Sequence, residues 1–198
     1  MEKKCIIILG RSGGGKGTQA ALLRDKLERG GYNPVHHITT GDGFRAFIKS
    51  DSHVASVARY VNDTGGLQPE FLAVWNWTNI LINTLTGEDT LILDGLARRS
   101  AEAHMLHGAI GYLGYKNPTV IYLDVSERVS RDHLVSRGRE DDKDESNITN
   151  KMTWFEMEVL PTLEIYKADP RYTILHINGN QSIEEVHKDI IEGLGLGK

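Results

Sequence analysis

Residues 5–18 read CIIILGRSGGGKGT, and this stretch decides the fold. It starts as a continuous apolar run, which is typical of a strand buried on both faces. The spacing Gly10-x4-Gly15-Lys16 follows, and a helix-forming run begins at Thr18. A glycine-rich turn between a strand and a helix points its backbone N–H groups inward, at the helix end that carries partial positive charge. The stretch therefore predicts a binding site for polyphosphate.

The residue after this lysine departs from the common pattern of such loops. Gly17 stands where Ser or Thr is usual, and the hydroxyl comes one residue later at Thr18. A magnesium ion would lack the hydroxyl ligand that the loop commonly supplies. We therefore expect phosphates, water and carboxylates elsewhere in the chain to hold such an ion.

Composition and charge bound the class of protein. A chain of 198 residues is long enough for one α/β domain, and its 39% hydrophobic and 25% charged residues are ordinary for a globular protein. A net charge of −4 gives no general attraction to nucleic acid or to anionic membranes. No apolar run approaches the roughly 18 residues of a membrane span, and the run before Gly10 is too short for a signal peptide. We expect a cytoplasmic protein with neither nucleic acid nor a membrane as a partner.

Strand-like runs alternate with helical segments along the chain. We predict strands near Lys4–Leu9, Val35–Ile38, Thr90–Leu93, Thr119–Asp124 and Thr173–Ile177. The alternation favours an α/β fold in which right-handed crossovers join the strands of a parallel sheet. Ligands then bind beyond the carboxyl ends of the strands, and Asp94 follows the third strand directly.

The stretch 41–85 lies between the second and third strands and is too long for a simple crossover. It reads as two or three helices, with a turn at residues 64–66 and with Pro69 opening the next helix. Its larger apolar residues are predicted to belong to the core, namely Phe71, Leu72, Trp75 and Ile80.

Two helical patterns follow in the second half of the chain. One covers residues 147–167, and Pro161 is predicted to kink or split it. The other is the last helix, for which Ser182 and Glu185 form a capping-box pattern.

Four short pieces follow the phosphate loop in the order of the predicted strands. They are TGDGFR (40–45), DGLAR (94–98), RGREDD (137–142) and NGNQ (178–181). Together with GRSGGGKGTQ (10–19), these pieces resemble the adenylate kinase family of nucleoside monophosphate kinases, in the same order and over nearly the whole chain. The resemblance implies a P-loop three-layer α/β/α fold with a five-stranded parallel sheet. It also implies a helical insertion that binds the nucleoside monophosphate (NMP) and a very short lid, both of them mobile.

The resemblance divides the chain as one kinase domain over residues 1–198. Its core would comprise residues 1–40, 86–136 and 147–198, its NMP-binding region residues 41–85, and its lid residues 137–146. Only Gly138 separates Arg137 from Arg139, so the lid is of the short form.

The resemblance also implies the residues of the two nucleotide sites. ATP, the donor, would be bound by Gly13, Gly14, Gly15, Lys16, Gly17, Thr18, His133, Arg137, Gly179 and Gln181. The acceptor NMP would be bound by Thr40, Arg45, Gly66, Leu67, Gln68, Gly95, Arg98, Glu102, Arg139 and Lys151. The catalytic charges would be Lys16, Arg45, Arg98, Arg137, Arg139 and Lys151.

These residue types suit phosphoryl transfer between two nucleotides. The reaction gathers several negative charges that must be neutralised, aligned and kept dry. Planar guanidinium groups match phosphate oxygens. Asp42 and Asp94 would organise magnesium through water. The acceptor oxygen is already anionic, so the chemistry requires no general base.

Several positions depart from the family pattern. Leu96-Ala97 replaces the usual Phe-Pro before the acceptor arginine, so the cis-proline geometry of that turn is expected to be absent. Lys151 replaces a lid-side arginine after a one-residue insertion, which keeps the charge and loses the fork. His133 stands where an arginine often stacks on the donor base, with Arg131 nearby as a possible substitute.

Glu102 is the departure that bears most on the substrate. Adenylate kinases usually carry Gln there, which both donates to and accepts from adenine, whereas an ionised Glu only accepts. Losing one such hydrogen bond relaxes discrimination by ~1–3 kcal/mol. Gln68, where a small apolar residue is common, offers compensation. AMP is the first choice of acceptor, with CMP or another amino-bearing base kept open.

The acidic run at residues 140–145 has two readings. It is either a solvated helix start favoured by the helix dipole, or a set of carboxylates that fix Arg137 and Arg139 by ion pairs, and the two are compatible.

Three functions remain open. The leading one is reversible, Mg²⁺-dependent transfer from ATP to AMP, giving two ADP. The second is a UMP/CMP-type kinase, and the third is a nucleotide-dependent switch or assembly ATPase without kinase activity. Arg45 and Arg98 argue against the ATPase, because only an acceptor phosphate needs them. We expect Mg²⁺ as cofactor, ATP as donor and a monomeric protein.

Overall fold

The computed structural model describes residues 2–197, except for the side chain of Glu140. The strands are β1 (Cys5–Gly10), β2 (Val35–Thr39), β3 (Thr90–Asp94), β4 (Thr119–Asp124) and β5 (Thr173–Asn178). They form a five-stranded sheet in the order β2-β3-β1-β4-β5, in which every neighbouring pair is parallel. The predicted strands and the parallel sheet are confirmed.

Helices connect the strands. The helices are α1 (Lys16–Arg29), α2 (Thr40–Phe47), α3 (His53–Asp63), α4 (Glu70–Thr84), α5 (Ser100–Tyr112), α6 (Glu127–Arg137), α7 (Glu145–Trp154), α8 (Leu160–Ala168) and α9 (Ile183–Gly193). A short 3₁₀ turn lies at Glu140–Asp142 and a π-helical turn at Phe155–Val159. Within residues 2–197, no helix combines the length and the apolar character needed to cross a bilayer.

The core lies on both faces of the central strand β1, whose residues are all buried. Successive side chains of a strand point to opposite faces. Ile7 and Leu9 accordingly join an apolar cluster with residues of α4, α5 and α8. Ile6 and Ile8 join a second cluster with residues of α1 and α9. The three-layer α/β/α arrangement is therefore confirmed.

The carboxyl ends of the strands meet at one edge of the sheet. In the register of the strands, Ile8 of β1 and Thr39 of β2 both pair with Asp94 of β3, and Gly10 pairs with Leu123 of β4. The glycine-rich turn leaves the sheet at this edge and leads into α1. The edge is therefore where the phosphate loop, Asp94 and the end of β2 come together.

The segment between β2 and β3 forms α2, α3 and α4, and α4 begins directly after Pro69, as predicted. Leu72 is buried and Ile80 is half-buried against the core. The prediction for Phe71 and Trp75 is wrong, because these side chains are 68% and 45% exposed. Helix α4 is apolar around most of its circumference, and only the stripe containing Leu72 faces the core.

The long helical pattern after the lid is interrupted near Pro161, as predicted. Residues 145–154 form α7, one π-helical turn follows, and α8 carries Pro161 in its first turn. Proline lacks the N–H that would continue the α-helical ladder, so the preceding turn widens. The capping box of Ser182 and Glu185 at the start of α9 is also confirmed.

Candidate active site

A cavity of about 670 Å³ opens at the carboxyl edge of the sheet. All the residues that the sequence nominates for the donor, acceptor and metal sites line it. They come from the phosphate loop, α2, the 64–68 turn, the loop after β3, α5, α6, the lid, α7 and the loop after β5. The fold thus gathers into one pocket residues that are up to 168 positions apart in the sequence, from Gly13 to Gln181.

The phosphate loop has the close-packed, left-handed backbone that its glycines permit. Gly13 has a φ of 80°, and a Cβ there would lie 2.5 Å from the carbonyl oxygen of Ser130. Only glycine combines that conformation with so close an approach. Any larger residue at position 13 would therefore clash with Ser130 and strain the backbone of the loop.

Lys16 holds its ammonium at the centre of this loop. Its Nζ donates to the carbonyl oxygens of Gly10 at 3.0 Å and Arg11 at 2.8 Å. Burial lowers the pKa of Lys16 to about 8, and the charge of Asp94 opposes that shift. These hydrogen bonds are to neutral carbonyls, so an arriving polyphosphate would offer the ammonium a stronger partner.

Arg98 is a partly buried cation of the opposite half of the cavity. Its Nε donates to the carbonyl oxygen of Gly95 at 2.7 Å, and its guanidinium lies 5.4 Å from the ring centroid of Trp154. Burial lowers the pKa of Arg98, Glu102 opposes this effect, and Arg45 adds to it. Asp94 also opposes the effect of burial, so the pKa is lowered although two carboxylates lie near Arg98.

Two further arginines face the same space. Arg45 of α2 pairs with Asp42. Burial lowers the pKa of Arg139, and the positive charges of Arg137 and Arg45 lower it further. Like charges held this close are stabilised by an anion between them. The arrangement of these arginines suits a phosphate group.

The lid carboxylates engage the remaining cations. Arg137 donates from Nε at 2.9 Å and from Nη2 at 2.6 Å to Oδ2 of Asp142. Lys151 donates to Oδ1 of Asp142 at 2.7 Å and to Oδ2 of Asp141 at 2.6 Å. The side chains of Asp142 and Lys151 are 1% and 9% exposed, so the centre of this cluster is buried, whereas Arg137 and Asp141 are partly exposed. The ion-pair reading of the acidic run is confirmed for Arg137, and the side chain of Glu140 lies outside the described part of the chain.

Asp94 is the acid best placed for a cation. Burial raises its pKa, but His37, whose Nε2 lies 3.5 Å from Oδ2, and the charges of Lys16 and Arg98 outweigh this and hold the pKa below the ordinary value. Asp94 is therefore ionised at neutral pH. A Cβ on Gly17 would lie 3.5 Å from its Oδ2, so the residue after the lysine brings the loop backbone close to this carboxylate.

The donor set fits a magnesium ion held mainly by phosphate and water. Within residues 2–197, no three His, Cys, Asp or Glu side chains come together as a ready-made metal centre. Asp94 lines the cavity beside the phosphate loop, and Asp42 lines it from α2. Two carboxylates from separate elements are what water-mediated binding of Mg²⁺ needs.

On the donor side, His133 and not Arg131 reaches the cavity. His133 lies within hydrogen-bond distance of the loop, with Nδ1 2.9 Å from the carbonyl oxygen of Gly13. Arg131 is paired with Glu127 and Glu145 and does not line the cavity. The structure thus favours His133 on the donor side, and a role of Arg131 at the donor base stays a prediction.

Two buried polar side chains line the cavity beyond Arg98. Glu102 is 3% exposed, and its Oε2 accepts a 3.4 Å hydrogen bond from the backbone N–H of Arg98. Gln68 is 8% exposed, and its Nε2 donates to the carbonyl oxygen of Ala58 at 2.8 Å. Its Oε1 is buried without a hydrogen-bond partner in the described structure.

The turn before Arg98 adopts the geometry expected without proline. The peptide between Leu96 and Ala97 is trans, and Ala97 has a φ of 50°. Both side chains are fully buried. A buried alanine in the left-handed region is held there by its surroundings, which fixes the direction in which Arg98 leaves the turn.

Sequence reasoning missed Trp154 and the pairing of the lid carboxylates with Lys151. Trp154 lines the cavity, contacts Arg98, and donates from Nε1 to the carbonyl oxygen of Gly65 at 3.2 Å. Its position three residues after Lys151 puts it one turn along the same face of α7, which is a signal the sequence contains. The pairing of Lys151 with Asp142 has no such local signal.

Comparisons with known proteins agree with this site. A family model described as adenylate kinase matches residues 8–170. An adenylate kinase of Mycobacterium sp. (strain MCS) is 34% identical over 194 residues, covering 96% of this chain and 98% of the relative. An adenylate kinase of Corynebacterium urealyticum is 32% identical over 181 residues (91% and 93%), and adenylate kinase 1 of Nostoc sp. is 32% identical over 190 residues (96% and 98%).

Proposed function

The chain belongs to the adenylate kinase family and is a nucleoside monophosphate kinase, and we propose that it transfers the γ-phosphoryl group of ATP to AMP. An oxygen of the AMP phosphate forms a bond to the γ-phosphorus, the bond from that phosphorus to the bridging oxygen breaks, and two ADP result. The observation that carries this proposal is that Lys16, Arg45, Arg98 and Arg139 line one cavity. A kinase that joins two nucleotides needs cations for both.

The donor half of the proposal rests on the phosphate loop. The loop backbone with Lys16 would bind the β- and γ-phosphates of ATP, and Arg137 would leave Asp142 to join them. His133 and Gln181 line the cavity where the nucleoside of ATP would extend. These groups neutralise charge that moves to the bridging oxygen during transfer.

The acceptor half rests on Arg45 and Arg98. Their forks would hold the AMP phosphate, and Arg139 from the lid would lie over the transferred group. Lys151 would support this charge once it is released from Asp141 and Asp142. Because the attacking oxygen is already anionic at neutral pH, these residues position it and no proton needs to be removed.

Magnesium is the proposed cofactor. Asp94, and Asp42 once its arginine partner turns to the acceptor phosphate, would hold the ion through water. When bound, Mg²⁺ supplies charge neutralisation on the triphosphate oxygens. The NMP-binding region 41–85 and the lid 137–146 are proposed to move over the substrates. The monomeric state and the cytoplasmic location expected from the sequence stay predictions.

The amino group of adenine favours AMP as the acceptor. Glu102 and Gln68 both line the cavity, and each carries an oxygen that can accept a hydrogen bond; Oε1 of Gln68 is buried without a partner in the described structure. An exocyclic amine supplies the donors that buried acceptors require. The same argument keeps CMP as the second candidate. A switch ATPase is disfavoured because it binds only ATP, whereas Arg45 and Arg98 lie in the half of the cavity opposite the phosphate loop, where an acceptor phosphate would bind.

A panel of acceptors tests the proposal. Formation of ADP from ATP and Mg²⁺ is measured with AMP, CMP, GMP and UMP, each over a range of concentrations. We expect the highest kcat/KM with AMP, and loss of activity on chelation of Mg²⁺ that is reversed by adding the ion back. A kcat/KM for GMP or UMP far above that for AMP would overturn the assignment of AMP.

A further inference from the structure

Glu102 is a carboxyl group buried in the wall of the substrate cavity. It lies in the first turn of α5, one turn after Arg98, and its side chain is 3% exposed. Its Oε2 accepts one long hydrogen bond from a backbone N–H, and Oε1 accepts none from the described residues. A buried carboxylate normally has a close cation or several donors. Glu102 has neither.

The groups around Glu102 do not compensate for its burial. Arg98 and Arg99 favour the ionised form, while Glu70 of α4 opposes it. Tyr166 of α8 also faces Glu102 and is uncharged, since burial raises its pKa well above the ordinary value. The net effect of burial, with these charges opposing each other, is a raised pKa for Glu102.

The guanidinium groups of both arginines are occupied elsewhere. Arg98 donates through Nε to Gly95. Arg99 donates to the carbonyl oxygen of Gln68 at 2.9 Å and lies near Glu158. An anionic phosphate at Arg98 would further weaken the support that this arginine gives to an ionised Glu102. Binding of an NMP therefore favours the neutral carboxyl.

Gln68 supplies a second observation at the same place. Its Oε1 is buried and unpartnered, while its Nε2 is held by Ala58, so the amide cannot turn to donate into the cavity without losing that bond. The oxygens of Gln68 and Glu102 are therefore acceptors without a full set of donors in the described structure. At Glu102 itself, a donor for a ring nitrogen exists only if the carboxyl carries a proton.

We propose that Glu102 recognises the acceptor base as a neutral carboxylic acid, so that AMP binds together with a proton. The acid O–H would donate to N1 of adenine, and the acid carbonyl and Oε1 of Gln68 would accept from the 6-amino group. A protonated carboxyl has the one-donor, one-acceptor pattern of an amide. This inference rests on the proposed function, because it takes AMP as the acceptor.

The ionised form of Glu102 would recognise a different base. A carboxylate offers only acceptors, so it repels the lone pair on N1 of adenine. The adjacent N1–H and 2-amino group of guanine would suit it. The preference for AMP over GMP is therefore expected to fall as pH rises, in a way that depends on this one residue.

Proton uptake is the direct test. AMP binding is measured by calorimetry at several pH values from about 6 to about 9, each in several buffers of different ionisation enthalpy, for the wild type, for Glu102→Gln and for the exposed control Glu164→Gln. At pH values above the pKa of Glu102 in the free protein, we expect wild type and E164Q to take up as much as one more proton per AMP than E102Q, in which the amide needs none. Equal proton uptake in wild type and E102Q at every pH overturns the inference.

Kinetics give a second, independent readout. KM for AMP is measured from about pH 6 to about pH 9 at saturating ATP, and the ratio of wild type to E102Q is taken at each pH. Titration of the AMP phosphate and of Lys16 affects both enzymes and cancels. The ratio should rise by up to about tenfold per pH unit above the pKa of Glu102, with GMP turnover rising relative to AMP.

The results distinguish the role of Glu102 from the proposed phosphorylation of AMP, on which that role depends. A flat ratio, with AMP still phosphorylated efficiently, overturns the role of Glu102 and leaves the proposed function standing. Failure of AMP to serve as an acceptor in both wild type and E102Q overturns the proposed function, and the inference with it.

Discussion

Arg98 shows how single residues assemble the acceptor half of the site. Its side chain donates to Gly95, its carbonyl oxygen accepts from the hydroxyl of Thr162 at 3.1 Å, and its guanidinium faces the ring of Trp154. Three separate parts of the chain thus fix one cation. A cation held rigidly beside other cations stabilises an incoming phosphate without a cost of reorganisation.

Replacing Arg98 by alanine should abolish most of the turnover and spare ATP. We expect kcat/KM for AMP to fall by ~10²–10⁴-fold, because a cation that contacts the reacting phosphate is lost. The Kd of a non-hydrolysable ATP analogue should change little. Arg29→Ala, at an exposed position in the last turn of α1, is the control and should behave as wild type. A comparable loss of ATP affinity would place Arg98 in the donor half.

Lys16 predicts a pH dependence of ATP binding. Its pKa of about 8 means that the free loop loses its ammonium as pH rises through about 8. A bound triphosphate favours the charged form, so the Kd of a non-hydrolysable ATP analogue should rise by up to about tenfold per pH unit above that point. Calorimetry without AMP isolates this effect from Glu102.

Lys16→Arg is the matched variant for that measurement. Arginine keeps its charge over the whole range, so the affinity of this variant, whatever its value at neutral pH, should not fall. A wild-type affinity that stays constant to about pH 9.5 would contradict the assigned state of Lys16.

At the scale of elements, the lid is tied to α6 and α7 by buried charges. The 3₁₀ turn carries Asp141 and Asp142, which bind Arg137 at the end of α6 and Lys151 in α7. Both cations are also proposed phosphate ligands. The lid carboxylates therefore occupy the cations that the substrates would take, and nucleotide binding exchanges one set of anions for another.

Removing one partner of this cluster should destabilise the fold. Lys151→Met leaves the buried Asp142 with Arg137 alone, and we expect the free energy of unfolding to fall by about 3 kcal/mol. Adding Asp142→Asn should recover part of that loss. The surface variant Lys188→Met should change it by less than about 0.5 kcal/mol. Chemical denaturation measures all of these, and equal stability of Lys151→Met and wild type would rule out a structural role for the pair.

The elements differ in how far the sequence predicts them. The strands were predictable because each is a continuous apolar run, and the break near Pro161 was predictable because proline lacks a donor. The exposure of Phe71 and Trp75 was not, because α4 is apolar on nearly all sides. Which stripe faces inward is decided by the helices that pack on it, including the contact of Trp75 with Phe47.

The site divides in the same way. The phosphate loop and the arginines that follow strands or helices can each be recognised from a local sequence pattern. Because the carboxyl ends of parallel strands meet at one edge of the sheet, the sequence also predicted that these residues lie together there. The partnership of Lys151 with Asp142 depends on how α7 turns over the lid, and no spacing rule expresses that. The buried, unpartnered state of Gln68 likewise depends on α3, whose Ala58 carbonyl takes its amide.

At the scale of the whole molecule, charge is distributed unevenly. The chain has a net charge of −4, yet its cavity gathers Lys16, Lys151 and four arginines. A cationic cleft in an anionic protein concentrates field lines and attracts polyanions to one place. Substrates are therefore drawn to the cavity, whereas nucleic acid meets an overall negative surface.

The shared cavity predicts that a ligand spanning both halves stabilises the protein more than either substrate does. An analogue with two adenosines joined by a polyphosphate chain would engage Lys16 and Arg98 at once. At about 100 times its Kd it should raise the Tm by about 5–10 °C. ATP alone at the same concentration should give a smaller shift, and Arg98→Ala should reduce the difference between the two ligands. Thermal unfolding followed by circular dichroism measures this, and an analogue that shifts the Tm no further than ATP would mean that the two halves do not act as one site.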